Sequence, residues 1–226
     1  MISVVMPVLN EAAALPGTLA ALLAQAGDWE LIVADGGSSD GTPATVPVDA
    51  RVRLLHTQRG RGAQMNAGAG VARGDTLLFL HADTRLPTGA LARLDAAIAA
   101  GATWQGGAFR HAFAPTDWRL RLVSAGNNLR CRRSRVYFGD QAIFVRSALF
   151  RRLGGFPEVP VLEDVMFCER LRTHAATVLL PEVVHTDPRR FLHHGVWRSV
   201  WRGLRILLRH RLGLPAGGQG YTDTVR

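Results

Sequence analysis

Hydrophobic positions along this chain change their period several times, and each change marks an element. Ile2–Val8 is a short, β-rich apolar run. After a polar loop, Leu15, Leu19, Leu22 and Leu23 recur at helical spacing, with Pro16 in the first turn, where a missing N–H is tolerated. Leu31–Ala34 predicts a second, buried strand, closed by the turn-rich stretch Asp35-Gly36-Gly37-Ser38-Ser39-Asp40-Gly41-Thr42. Val52–Thr57 predicts a third strand, Ala63–Ala72 a helix of small residues, and Thr76–Leu80 a fourth strand running into His81-Ala82-Asp83. Strands alternating with helices predict an α/β fold with a mostly parallel sheet and right-handed crossovers. Ligands of such sheets bind beyond the carboxyl ends of the strands, where Asn10-Glu11, Asp35 and His81–Asp83 all fall.

From about Gly106 the pattern loosens into strands mixed with an arginine-rich segment, Trp118–Arg135. The chain then closes with an amphipathic helix over Val196–Arg211. At about 100° per residue, Val196, Trp197, Val200, Trp201, Leu204, Leu207 and Leu208 share one apolar face, with Arg198, Arg202, Arg205 and Arg209 on a separate arc. Two readings stay open: a helix lying on a membrane surface, or one docked on the domain with its arginines solvated.

Composition changes the picture at two points. The 226 residues carry a formal charge of +9, and all 27 basic residues are arginines. Guanidinium groups stay ionised and grip phosphate oxygens bidentately, so the surplus suits diphosphates or anionic lipid. An RNA-binding aromatic pattern is missing, which argues against a nucleic-acid partner. Cys131 and Cys168 lack metal-type spacing and read as free thiols of a reducing compartment. No apolar run approaches the roughly 18–20 residues of a bilayer span, and the first residues read as a strand and not as a signal peptide. The expectation is a cytoplasmic protein, peripheral at the inner membrane face if the last helix binds lipid.

Five motifs occur in order: Pro7-Val8-Leu9-Asn10-Glu11, Asp35–Thr42, Phe79-Leu80-His81-Ala82-Asp83, Gly154-Gly155-Phe156 and Glu163-Asp164. The series resembles the family 2 glycosyltransferases of GT-A fold over nearly the whole chain. Arg59–Gly68 and Tyr137-Phe138-Gly139-Asp140-Gln141 narrow the likeness to small bacterial enzymes associated with radical-SAM and arsenosugar-type gene clusters. The resemblance implies a mixed, mostly parallel sheet flanked by helices, and one domain over residues 1–226. Within it, 1–105 would hold the nucleotide-sugar donor, 106–190 the acceptor and catalytic groups, and 191–226 the last helix and tail.

The same likeness implies roles. Pro7 would lie against the base, with Asn10 in the same donor loop, while Glu11 would accept from ribose hydroxyls and Asp35 from the base of a UDP- or GDP-sugar. A turn-forming role is kept for Asp40 and set aside for Asp35. Asp83 would hold Mn²⁺ or Mg²⁺ on the diphosphate; His81 would bond ribose or phosphate, with metal ligation as the alternative. Asp164, beside Glu163, would be the base that takes the acceptor hydroxyl's proton in an inverting displacement. Arg59, Arg61, Arg189 and Arg190 are candidates to neutralise the leaving diphosphate, and Asp140 and Gln141 to contact the acceptor, whose identity stays open. Two rival readings are a nucleotidyltransferase and a non-catalytic nucleotide-sugar binder. The first lacks its Gly-rich basic loop after strand one, where this chain reads Asn10-Glu11-Ala12-Ala13-Ala14; the retained Asp83 and Asp164 count against the second.

Overall fold

A computed structural model describes residues 1–215. In chain order the elements are β1 (Ile2–Val8), α1 (Leu15–Leu23), β2 (Trp29–Asp35), β3 (Val52–His56), α2 (Arg61–Val71), β4 (Thr76–Phe79), β5 (Thr84–Arg85), α3 (Ala90–Ala99) and β6 (Gly106–Phe113). There follow α4 (Trp118–Ser134), β7 (Ile143–Arg146), α5 (Ser147–Arg152), α6 (Glu163–His174), β8 (Thr177–Thr186), α7 (Arg189–His194) and α8 (Val196–Arg211). The expected tail 216–226 lies outside the described residues.

All eight strands join one sheet in the order β3-β2-β1-β4-β7-β6-β8-β5. β1 is parallel to both β2 and β4, and β2 to β3, so these four strands point their carboxyl ends to one edge. β7 enters antiparallel between β4 and β6, and β8 runs parallel to β6. The strand alternation assigns the two faces. Ile2, Val4, Met6 and Val8 of β1 pack with Leu15, Leu19 and Leu22 of α1 and Leu91 and Leu94 of α3. Val5, Ile32, Leu77 and Phe79 face the other way, onto Met65 and Ala69 of α2 and Val165, Phe167 and Leu171 of α6. Gly68 lets α2 lie close on the sheet, because a Cβ there would collide with the Val5 side chain.

Arg-rich 118–134 is a continuous helix where the sequence pattern showed only a loosened segment. Asp117 caps it, its carboxylate accepting from the Leu120 N–H at 2.9 Å. Leu120, Ser124 and Cys131 are its buried positions, with most of the remaining turn surface given to arginine and to exposed apolar side chains. So few inward residues leave a weak periodic signal. The short α3 also went unread, its alanine-rich sequence lacking polar contrast.

One polar knot ties the parallel strands together. Glu30, 3% exposed on β2, accepts from Ser3 Oγ of β1 at 2.7 Å, from the Arg73 N–H at 2.7 Å, and from Arg73 Nε and Arg53 Nη2 at 3.0 Å. Burial works to raise its pKa, but these donors outweigh it and hold the carboxyl below its ordinary value. The contribution is therefore present above the unfolded pKa of about 4.3 and lost as pH falls through the lower folded value. Glu30→Gln is expected to lower stability near pH 7 by about 2 kcal/mol, read as a shifted urea midpoint at unchanged slope. The gap to wild type should shrink toward pH 3. A gap constant across that range would contradict the ionic account.

Candidate active site

Four chain segments meet at the carboxyl edge of β1, β2 and β4. The loop after β1 and the turn after β2 are zipped together: the Asn10 N–H donates to Ser38 Oγ at 2.9 Å, Glu11 N–H to Thr42 Oγ1 at 2.8 Å, and Ala12 N–H to Asp40 at 3.0 Å. Asn10 returns a bond by accepting from the Ser39 N–H at 2.8 Å. Asp35 organises the same turn, since its carboxylate accepts from Gly37 N–H at 3.2 Å and from Ser38 Oγ at 2.5 Å. It is 2% exposed. This corrects the expectation that only Asp40 forms the turn; both aspartates do, because a turn of glycines and serines leaves its N–H groups pointing inward. Gln64 pins the two strand ends, donating to Val8 O at 2.7 Å and Ala34 O at 2.8 Å.

The cleft beyond these ends is lined by Pro7, Glu11, Arg61, Gln64, His81, Asp83, Arg189 and Arg190. Arg189, delivered by the first turn of α7, forms an ion pair with Glu11 and lies 3.8 Å from Asp83. Burial pushes the Asp83 carboxyl up; Arg189, Arg190 and Arg61 pull it down, while Asp140 pushes it up again. Asp140 is thus close enough to repel Asp83, and its Oδ1 is buried with no hydrogen-bond partner among the described residues. Its Oδ2 lies 3.6 Å from Nε2 of buried His111.

Behind Arg61 and His81, α6 begins at Glu163-Asp164. Glu163 is paired with Arg61 at 2.9 Å. Asp164, 9% exposed, accepts from Gly139 N–H at 2.6 Å and from Val165 N–H at 2.7 Å. Gly139 is an obligate close approach, for a Cβ there would stand 2.6 Å from the His81 ring and 3.5 Å from Asp164. Gly139 therefore sits between the His81 ring and the Asp164 carboxylate. Burial, then repulsion from Glu163, push the Asp164 pKa up to about 7 against the pull of Arg61 and its two N–H donors.

Two expected residues stand elsewhere. Gln141 is fully buried; its Oε1 accepts from Phe138 N–H at 3.0 Å and its Nε2 donates to Phe109 O at 3.2 Å. Those bonds consume the amide inside the core, so it is withdrawn as an acceptor contact. Arg59 is exposed on the turn before α2 and does not line the cleft. Gln64 and His111 were missed. Gln64 sat in a run of small residues with nothing to mark it as inward, and His111 on a strand whose register was not readable.

Among the described residues, no three His, Cys, Asp or Glu side chains gather as a metal cluster. The residues still fit a hard divalent ion that takes one protein carboxylate and completes its shell with phosphate oxygens. Asp83, repelled by Asp140, whose Oδ1 has no donor among the described residues, is the group an added positive charge would stabilise.

A cleft at the carboxyl edge of parallel strands, lined by Asp83 and Arg61 with Asp164 close behind, on a sheet with β7 inserted antiparallel, defines a GT-A-like α/β protein. Residues 3–152 match the family Glycosyl transferase family 2, and the chain belongs to that family. It is similar to a Mycobacterium tuberculosis PGL/p-HBAD biosynthesis glycosyltransferase, 39% identical over 93 residues, covering 38% of this chain and 36% of that protein. An undecaprenyl-phosphate 4-deoxy-4-formamido-L-arabinose transferase of Aeromonas hydrophila is 34% identical over 42% of this chain and 32% of its own length. The chain thus spans about a third of these curated relatives. In fold it resembles a mannosyltransferase from Pyrobaculum calidifontis in complex with GDP-Man and Mn²⁺, with TM-score 0.68 and 21% identity over 91% of this chain and 60% of that one. S. aureus TarS 1–349 gives TM-score 0.66 at 16% identity, covering 92% and 65%.

The Asp164 environment is directly measurable. A ¹³C NMR titration of its carboxyl should give a midpoint about 7, as the buried pair with Glu163 requires. Glu163→Gln should move that midpoint down by a unit or more, roughly, because it removes the repelling charge while Arg61 remains. A wild-type midpoint near the ordinary aspartate value of about 3.9 would contradict this picture.

Proposed function

We propose that the chain transfers a glycosyl group from a nucleoside diphosphate sugar, UDP- or GDP-linked, to an acceptor hydroxyl. The observation that carries the proposal is the closeness of a proton-accepting carboxylate to an arginine-lined cleft: Arg61, Arg189 and Arg190 line it with Asp83, and Asp164 lies just behind Arg61, within reach of its charge. Family membership and the fold of neighbours that bind UDP-GlcNAc or GDP-Man support the donor class.

Asp164 takes the proton of the acceptor hydroxyl as its oxygen bonds the anomeric carbon and the bond from that carbon to the diphosphate oxygen breaks. Attack from the side opposite the leaving group inverts the anomeric centre. A carboxyl with pKa about 7 is half ionised at neutral pH and basic enough to hold the proton it receives. Glu163 and Arg61 set that basicity. Arg61, Arg189 and Arg190 neutralise the departing diphosphate, for which Arg189 must exchange Glu11 for phosphate oxygen. A divalent cation at Asp83, Mn²⁺ or Mg²⁺, would supply Lewis-acid stabilisation of the same charge. His81, held against Gly139, orients toward donor ribose or phosphate. Pro7 and Glu11 border the nucleoside, and Asp35 with Asn10 shapes the turn that borders it. Asp140 faces the acceptor side.

The division into a donor half over 1–105, an acceptor half over 106–190 and a C-terminal segment over 191–226 forms part of the same reading. So does the finer kinship with the small enzymes associated with radical-SAM and arsenosugar-type gene clusters, which rests on the Arg59–Gly68 and Tyr137–Gln141 motifs. The buried free thiols Cys131 and Cys168 support a cytoplasmic setting.

Asp164→Asn should lower kcat by about 10²–10⁴ with little change in donor KM, since the base acts on the acceptor. In wild type kcat should fall as pH drops through about 7, where Asp164 gains its proton. Product NMR should show inversion. An Asp164→Asn enzyme with near-normal turnover, or a product that keeps the donor's anomeric configuration, would refute the assignment.

A further inference from the structure

The apolar arc of α8 does two different things. At about 100° per residue, Val196, Val200, Ile206 and Leu207 turn inward, and Val196 joins Phe113 and Leu120 in a small core between α4, α7 and β6. Trp197, Trp201, Leu204, Leu208 and Leu212 occupy the adjoining arc and remain outside, Trp201 at 72% and Leu208 at 58% exposed. The helix therefore docks on the protein and still presents an apolar strip. The docked reading therefore holds for one half of the arc, and the other half is left as an exposed apolar strip.

The strip does not stand alone. On neighbouring α4, Trp118, Leu122, Ala125 and Leu129 fall within about 60° of one another, and all are exposed. Trp118 meets Trp197 with ring centroids 6.3 Å apart, so the two strips adjoin. Thirteen large apolar side chains are exposed among the described residues; three lie in α4, one in α7, four in α8 and two in the turn beyond it. Chance scatter would not collect ten of them on one side.

Charge selects the partner. α4 and α8 contain five arginines each and no aspartate or glutamate. Arg198, Arg202 and Arg205 border the α8 strip, and Arg121, Arg132 and Arg133 border that of α4. A second copy of this surface would set guanidinium against guanidinium. Tryptophan and leucine flanked by arginine match the boundary of an anionic bilayer, with rings at the headgroup level and guanidinium groups on lipid phosphates. No helix among the described residues is long and apolar enough to cross a membrane, so contact would be lateral.

We propose that α4 and α8 form a platform that seats this protein on an anionic lipid surface. Val196, where the platform begins, follows cleft residue Arg189 by seven positions through α7. Seating the platform would thus bring the cleft close to the headgroups, within reach of a lipid-borne acceptor. The platform itself does not depend on the glycosyl-transfer reading.

The test is sedimentation of the full chain with vesicles of equal parts phosphatidylglycerol and phosphatidylcholine, and with phosphatidylcholine alone, at low and high salt. Wild type should bind the anionic vesicles at low salt and about tenfold more weakly at high salt. Its tryptophan emission should shift to the blue on binding, a signal from Trp118, Trp197 and Trp201, because Trp29 is 3% exposed and Trp104 is packed against Phe144 in the main core, away from the platform. A Trp118→Ser/Trp201→Ser/Leu204→Ser variant should lose at least about tenfold in binding at both salts. Replacing Arg198, Arg202, Arg205 and Arg209 by glutamine should remove the preference for anionic lipid. Circular dichroism and the melting midpoint establish that each variant is folded. Folded wild type that sediments with neither vesicle overturns the proposal, as does binding that both variants retain. Self-association that buries the three tryptophans without lipid would assign the face to a second copy and equally overturn it.

Discussion

Crowded carboxylates are the constraint on which this site depends. Glu11, Asp83, Glu163 and Asp164 gather around Arg61 and Arg189, where burial makes each ionised group costly and the two guanidinium groups hold them. Arg61 pairs with Glu163 and feels the fields of Asp164 and Asp83; Arg189 bridges Glu11 and Asp83. The arrangement leaves the four acids unequal. Glu11 and Glu163 are matched by close arginine partners. Asp83 and Asp164 keep less compensation, and both are pushed toward the protonated form. A site that separates its acids in this way has one carboxylate suited to a cation and another suited to a proton.

Holding such a site together bends the backbone. Among the described residues, two of the four non-glycine residues with positive φ lie beside it, Asn10 at 55° and Leu162 at 67°, the latter next to Glu163; a third, Ala142 at 48°, follows the core residue Gln141. Left-handed backbone at a non-glycine residue costs about 1–3 kcal/mol and persists where the surroundings dictate it. Here Gln141, with its amide locked in the core, and Glu163, locked by Arg61, supply that dictation. The small-residue helix α2 contributes in the same sense, with Asn66 fastened to both backbone groups of Phe156 at 2.9 Å.

Much of the first half was legible in the sequence because parallel strands buried on both faces are short apolar runs, and their carboxyl ends expose the next polar residues. Ile2–Val8 and Val196–Arg211 match the observed elements residue for residue, and Glu11, Arg61, His81, Asp83 and Asp164 do converge. What was not legible depends on long-range contact. Nothing local distinguishes Gln141, which lies inside the core, from Asp140 beside it, which faces Asp83. Arg189 reaches Glu11 across 178 positions of sequence, a pairing only the fold can make. The split of the α8 apolar face depended on where α4 lies, and α4 itself was hidden by its arginines.

The proposed glycosyl transfer requires Asp83 and the arginine floor to form one diphosphate–metal site. Anomalous diffraction at the manganese edge, from crystals grown with Mn²⁺ and a nucleoside diphosphate, tests it most directly. One manganese peak is expected, bound by an Asp83 oxygen and by phosphate oxygens, with Arg189 turned from Glu11 onto the diphosphate. Manganese bound away from Asp83, or a diphosphate seated while the Arg189–Glu11 pair stays closed, would contradict it.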